Sequence, residues 1–297
     1  MSYFKAILVS FLIFPGLQAS AQTALYDTTT KPQLISRQFA FTEGASVDKY
    51  GNVFFTDQPN DKIWEYDVNG KLSLFLDSVG RSNGMYFDHK NGNLITCADE
   101  HDQLWSISPK KKIKVLLTGV NGHLLNGPND IWVDNKGGIY LTDPYYQRDY
   151  WTRKKSDLDG EKVYYLPKGS HDPIVVDGVI KKPNGIVGTP DGKYLYVADI
   201  GDNKTYKYNI NSDGTLSDRT LIIRQGSDGM TLDAEGNIYL TGKGVTIYNP
   251  SGEKIGHIDI HEPWTANLCF GGKDKDVLFI TASTAIYTLK MNVKGVE

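Results

Sequence analysis

Cysteine is almost missing from this chain: its 297 residues contain two, Cys97 and Cys269. Each lies inside an apolar, strand-like run, so two buried free thiols are expected rather than a disulfide scaffold. Long runs of one charge are missing too, and the formal net charge of −3 is spread through the chain. That distribution offers no basic footprint and points away from nucleic acid as a partner. No G-x-S-x-G elbow occurs, and neither cysteine stands in a nucleophile-like setting, which disfavours covalent catalysis. No long helical period is visible, and beyond the N-terminus no apolar run approaches the ~20 residues that a spanning helix needs.

The one apolar run that stands apart is at the start, MSYFKAILVSFLIFPGLQASAQ. Lys5 precedes an apolar stretch from Ala6 to Leu17, and Ala19-Ser20-Ala21 supplies the small-x-small pattern of a cleavage site. The stretch is too short to span a bilayer and Pro15 interrupts it. Residues 1–21 are therefore expected to be a signal peptide, with residues 22–297 forming one exported domain, periplasmic or secreted. With 40% of its residues hydrophobic, the chain can bury a full core as a single domain.

What the sequence has in abundance is repetition. GASVDKYGNVFFTD, GMYFDHKNGNLITC, DIWVDNKGGIYLTD, GIVGTPDGKYLYVAD, GMTLDAEGNIYLT and NLCFGGKDKDVLFITA share one layout: an alternating strand, a turn of the D-x-x-G-N kind and a second strand. Anchored at Gly44, Gly84, Asp130, Gly185, Gly229 and Leu268, the units recur at intervals of 40, 46, 55, 44 and 39 residues. That period predicts an all-β, six-bladed β-propeller rather than a β-sandwich, which has no reason to repeat one motif six times. Runs such as KIWEYDV, QLWSISP and KTYKYNI supply third strands. The last unit lacks a clear fourth strand, and QLISRQFAF at residues 33–41 is the spare strand expected to close it against residues 285–291.

In a propeller the first strand of each blade lines the central channel, so one repeat position forms a ring. The residue before each anchor is Glu43, Asn83, Asn129, Asn184, Asp228 and Asn267, in every case a carboxylate or a carboxamide. Two carboxylates and several amide oxygens, without His or Cys, make a hard-oxygen site suited to one divalent cation, Ca²⁺ foremost. Asn-Gly and Asp-Gly are also ordinary turn dipeptides. Six polar residues in register favour a metal for Glu43 and Asp228, whereas Asn83 and Asn267 suit either a supporting or a substrate role. DKYGN, DNKGG and DAEGN lack the further ligands and flanking helices of an EF-hand and read as hairpin turns.

The segments LNGPNDIWVDNKGGIYLTDPYY, KKPNGIVGTPDGKYLYVAD, GSDGMTLDAEGNIYLTG and NLCFGGKDKDVLFITA closely resemble the gluconolactonase, senescence-marker-protein and luciferin-regenerating-enzyme family, over nearly the whole mature chain. The resemblance implies a six-bladed propeller with one catalytic divalent cation on its axis, usually calcium. It implies metal ligation by Glu43 in FTEG, Asn129 in PND, Asn184 in PNG and Asp228 in SDG. The implied activity is hydrolysis of a lactone, an aldonolactone such as gluconolactone, with organophosphates and other esters as alternatives at the same kind of site.

For such a reaction Asp228 is the first candidate for the general base and Asp130 the second. Asn83, Asn129, Asp130, Tyr145 and Tyr146 are candidates for substrate contact; Asn129 serves as ligand, substrate contact or both. The insertion PYYQRDYW should lie at the channel mouth, where its aromatics either stack on a sugar ring or pack on the blade rim. His101 and His123 read as solvated loop residues. A small-molecule lactone is the partner expected, with no protein partner implied; the other readings are a non-catalytic binding propeller and a metal-free synthase-like propeller, against which the paired carboxylates argue. The export reading predicts that protein from its native host begins near Gln22 and is recovered from the periplasm or medium. N-terminal sequencing that finds Met1 on a cytosolic protein would contradict it.

Overall fold

A computed structural model describes residues 24–297; the expected signal peptide lies outside the described residues. Six small antiparallel sheets stand around a channel as a six-bladed β-propeller, and the only helical turns among the described residues are the short 3₁₀ pieces Gln58–Asn60 and Asp99–His101. The strands that line the channel are Thr42–Val47, Ser82–Asp88, Ile131–Val133, Pro183–Gly188, Met230–Leu232 and Thr265–Gly271. Burial falls outward through each blade: Thr42–Val47 is buried throughout, whereas Leu72–Asp77 at the rim of the same blade is half-buried or exposed. Blades five and six are joined by one bridge, Gly242 to Thr265.

The repeated D-x-x-G-N turns owe their sequence to hydrogen bonding within the hairpin. Asp48 accepts the amides of Tyr50 and Asn52 at 2.8 and 2.9 Å, and Asp134 and Asp233 accept the corresponding pairs in blades three and five. Each aspartate thus spends one carboxylate oxygen on its own turn, and Asp134 and Asp233 accept tyrosine hydroxyls with the other, which makes these motifs structural.

The ring closes as the missing strand of the last repeat requires. Gln33–Ser36 pairs antiparallel with Ala285–Lys290, Leu34 opposite Tyr287. The closing strand is shorter than the expected 33–41, because the amides of Ala40 and Phe41 are taken by the Asp57 carboxylate at 3.0 and 3.3 Å. Past Ser36 the chain therefore turns toward the channel, where Phe39 packs edge-on against Phe55. Cys97 and Cys269 are buried free thiols in blades two and six.

Neighbouring inner strands approach so closely that side chains are excluded between them. A Cβ built on Gly44 would lie 2.2 Å from the Asn83 carbonyl oxygen, one on Gly84 2.4 Å from that of Asn129, and one on Gly185 2.6 Å from that of Asp228. The same approach lets Gly84 N–H donate to the Asn129 carbonyl at 2.7 Å. The glycine that follows four of the six ring residues is thus the price of bringing the strands to one axis. Replacing Gly84 by Ala should lower stability by about 1–3 kcal/mol, as overpacking does. Thermal melts should show a loss of several degrees for Gly84→Ala and almost none for Gly178→Ala, where the added methyl meets only Val175 at 3.5 Å.

Candidate active site

At one end of the channel the inner strands surround a cavity of about 250 Å³. Its lining includes Glu43, Asn83, Asn129, Asn184 and Asp228, five of the six ring positions. The sixth, Asn267, stands behind: its Nδ2 donates to Glu43 Oε2 at 3.1 Å and its own Oδ1 is held by the Leu268 amide at 2.8 Å. Asn267 thereby fixes the glutamate whose other neighbour is the Gly44 amide.

Asp228 faces the cavity and is only partly exposed. Trp264 Nε1 donates to its Oδ2 at 2.6 Å. Trp264 is itself held by Ser283, which accepts its amide and donates to its carbonyl, both at 3.1 Å. Burial pushes the Asp228 carboxyl up to about 6, against the opposing hydrogen bonds of Trp264 and Asn184 and the positive charge of Arg148. Burial raises Glu43 well above the usual carboxylate range, and the negative charges of Asp228 and Asp130 add to it.

The amides complete the pattern. The Oδ1 atoms of Asn83 and Asn184 are buried without a hydrogen-bond partner among the described residues, although both residues line the cavity. Buried amide oxygens normally have partners. Two crowded carboxylates and two unsatisfied carbonyl oxygens facing the same space are the donor set of a hard cation, and that chemistry fits the residues present. Among the described residues no three His, Cys, Asp or Glu side chains gather as a metal cluster, so a cation here would depend on these amides.

The other candidates lie as follows. Asp130 occupies the anchor position that is glycine in four blades, and it is absent from the cavity lining. Its buried Oδ1 accepts the Ile131 amide at 2.9 Å, and Oδ1 is also where a Cβ on Gly84 would collide. Tyr146 lines the cavity, and its hydroxyl accepts from Asn184 Nδ2 at 3.2 Å. Tyr145 does not; its hydroxyl donates to Gln147 at 2.6 Å in an exposed setting. His101 stacks on Trp105, and His123 lies 3.3 Å from Asp157, neither against the cavity.

Two residues of the site escaped sequence reasoning. Trp264 lies outside the repeated segment of blade six, and its one signal is a tryptophan three positions before a ring asparagine. Arg148, the one cationic side chain lining the cavity, sits within the insertion, where the aromatics drew attention instead.

Comparison with known proteins agrees with this architecture. The chain is 27% identical to a gluconolactonase of Zymomonas mobilis, with 92% of this chain and 84% of that protein aligned. It is 26% identical to lactonase drp35 of Staphylococcus haemolyticus, over 83% of this chain and 80% of that one. The solved structure of a gluconolactonase from Xanthomonas campestris superposes with a TM-score of 0.81 at 22% identity, covering 92% of this chain and 99% of the other, a likeness of fold. Residues 41–284 match the SMP-30/Gluconolactonase/LRE-like region, and the chain belongs to that family.

Proposed function

We propose that this protein is a divalent-cation-dependent hydrolase that opens a lactone ring, with an aldonolactone such as gluconolactone as the substrate class and calcium as the cation. The observation that carries this reading is the convergence of Glu43, Asp228 and the unpartnered amide oxygens of Asn83 and Asn184 on one small cavity. The gluconolactonase and lactonase relatives support the reaction class.

Glu43, Asn129, Asn184 and Asp228 would hold the cation, and the unpartnered Oδ1 of Asn83 is available beside them as a further donor or as a substrate contact. When bound, it supplies Lewis-acid polarisation of the lactone carbonyl and stabilisation of the oxyanion. The chain's own groups do the rest. Asp228, turned toward the cavity and fixed through one oxygen by Trp264, takes a proton from the attacking water. The water oxygen bonds to the carbonyl carbon, the ring C–O bond breaks, and the ring oxygen leaves with a proton as the hydroxyl of the product acid. Tyr146 and Trp264 wall the cavity and hold the ring against the water. Asn267 keeps Glu43 from turning away.

The decisive test is a lactonase panel with and without chelator, on the wild type and on Asp228→Asn. Turnover should vanish with chelator and return with Ca²⁺. Asp228→Asn keeps an oxygen donor and the side-chain volume, so it should fold normally while turnover falls about 10²- to 10⁴-fold, the range for losing a general base. Wild-type turnover of the variant at saturating Ca²⁺ would remove Asp228 as the base.

A further inference from the structure

In three blades an aspartate ends the second strand and does the same work. Asp57 accepts the amides of Ala40 and Phe41, Asp143 those of Asn126 and Gly127, and Asp199 those of Lys181 and Lys182, all at 2.9–3.3 Å. Each ties down the loop that enters its own inner strand. In blade two the residue at this place is Ala98, which pairs with Gln103 as Asp57 pairs with Lys62 and Asp199 with Lys204, and it has no carboxylate to offer. The loop there is held from blade one, where Asp61 Oδ1 accepts the amides of Val79 and Arg81 at 3.0 and 2.6 Å.

One residue on, at the place of Gln58 in blade one, the buried Asp99 serves the insertion of blade three. Its Oδ2 accepts Arg148 Nε at 2.9 Å, the Tyr150 hydroxyl and Gln58 Nε2 at 3.4 Å, while its carbonyl accepts Trp151 Nε1 at 3.0 Å. The seat is prepared on the other side as well, since a Cβ on Gly127 would lie 2.7 Å from the Trp151 ring and 2.8 Å from Asp99 Oδ1. Arg153 stacks 3.8 Å above the Trp151 ring. Residues 148–151 therefore form a strap fastened at one carboxylate.

The strap delivers Arg148 to the cavity with its Nε occupied and its two terminal nitrogens without an acceptor among the described residues. A guanidinium anchored at Nε presents those two nitrogens as a fixed fork, which matches a pair of adjacent oxygens. We propose that Arg148 is a specificity-determining residue that binds neighbouring oxygens on the substrate away from the reacting carbonyl, and that Asp99 is its positioning residue. This rests on the lactone-hydrolase reading of the same cavity. The oxygens come either from vicinal hydroxyls of a sugar lactone or from a carboxylate substituent.

The test compares wild type, Arg148→Met, Asp99→Asn and the double variant on three lactones: unsubstituted δ-valerolactone, glucono-δ-lactone, and a glucaro-lactone with a free carboxylate. Calorimetric binding of gluconate and of glucarate to each protein gives a readout independent of turnover. Arg148→Met should lower the ratio of kcat/KM for an oxygen-bearing lactone over δ-valerolactone by about 10- to 100-fold, the range for a hydrogen bond to a charged group. The loss should lie mainly in KM, with a matching loss in binding of the corresponding acid. The larger loss, on glucono- or glucaro-lactone, identifies hydroxyls or carboxylate as the oxygens read.

Asp99→Asn should shift the ratio in the same direction, and the double variant should be no worse than Arg148→Met alone. If Asp99→Asn fails to fold, Tyr150→Phe, which removes another donor from the same carboxylate, should show a smaller shift of the same sign. Ratios and acid binding unchanged within twofold in Arg148→Met would overturn the proposal, and additive losses in the double variant would overturn the part played by Asp99. Absence of turnover of every lactone by the wild type would instead sink the hydrolase reading, while acid binding would still test Arg148.

Discussion

The constraint on which the rest of the molecule depends is the distance between neighbouring inner strands. Where a Cβ would fall within 2.2–2.6 Å of the next blade's carbonyl oxygen, only glycine fits, and the strands can then converge until side chains from different blades meet. Ring closure maintains that convergence. Gln33–Ser36 adds the fourth strand to the last blade, so that no open edge lets the blades spread. The residue immediately before each glycine is thereby carried to the axis, which is why an acid or amide followed by glycine recurs in these repeats.

Convergence has an electrostatic consequence. Glu43 and Asp228 are brought together in a largely buried space, where desolvation raises both and the charge of Asp228 raises Glu43 further. Amide oxygens of Asn83 and Asn184 are left without partners in the same place. A folded chain tolerates such an arrangement where function requires it, since each term opposes stability on its own. A hard cation relieves all of them at once, and this links the packing of the strands to the chemistry proposed for the cavity.

How much of this was legible in the sequence follows from which features repeat. The blades, the hairpin turns and the ring recur six times, so register alone assembles Glu43, Asn83, Asn129, Asn184 and Asp228. Features that occur once were beyond that method. Trp264 reaches Asp228 from a loop outside the repeated hairpin, and Asp99 stands one residue past the place of Asp57, Asp143 and Asp199, with a carboxylate that touches other partners. Asp130 shares the ring's neighbourhood in sequence, yet one residue along the chain is enough to take it off the cavity lining and onto a backbone amide. Tyr145 and Tyr146 are adjacent in the insertion, and only Tyr146 faces the cavity. Irregular chain carries no periodicity from which that choice could be read.

The way each carboxylate is held separates their roles. Glu43 has its Oε2 occupied by the Asn267 amide and the Gly44 N–H, in a buried setting that leaves little freedom to exchange a proton. Asp228 is fixed by an indole N–H, a neutral donor, on one oxygen. A cationic partner in that position would hold the carboxylate ionised at the expense of its basicity, whereas a neutral donor orients it with a smaller effect. Arg148 is the one cation in the cavity lining, and its Nε is bonded to Asp99 rather than to Asp228, which feels its charge only at a distance. The strap therefore places a guanidinium within the cavity without pairing it to the base, so one cavity can hold both a substrate-binding cation and a carboxylate still able to accept a proton.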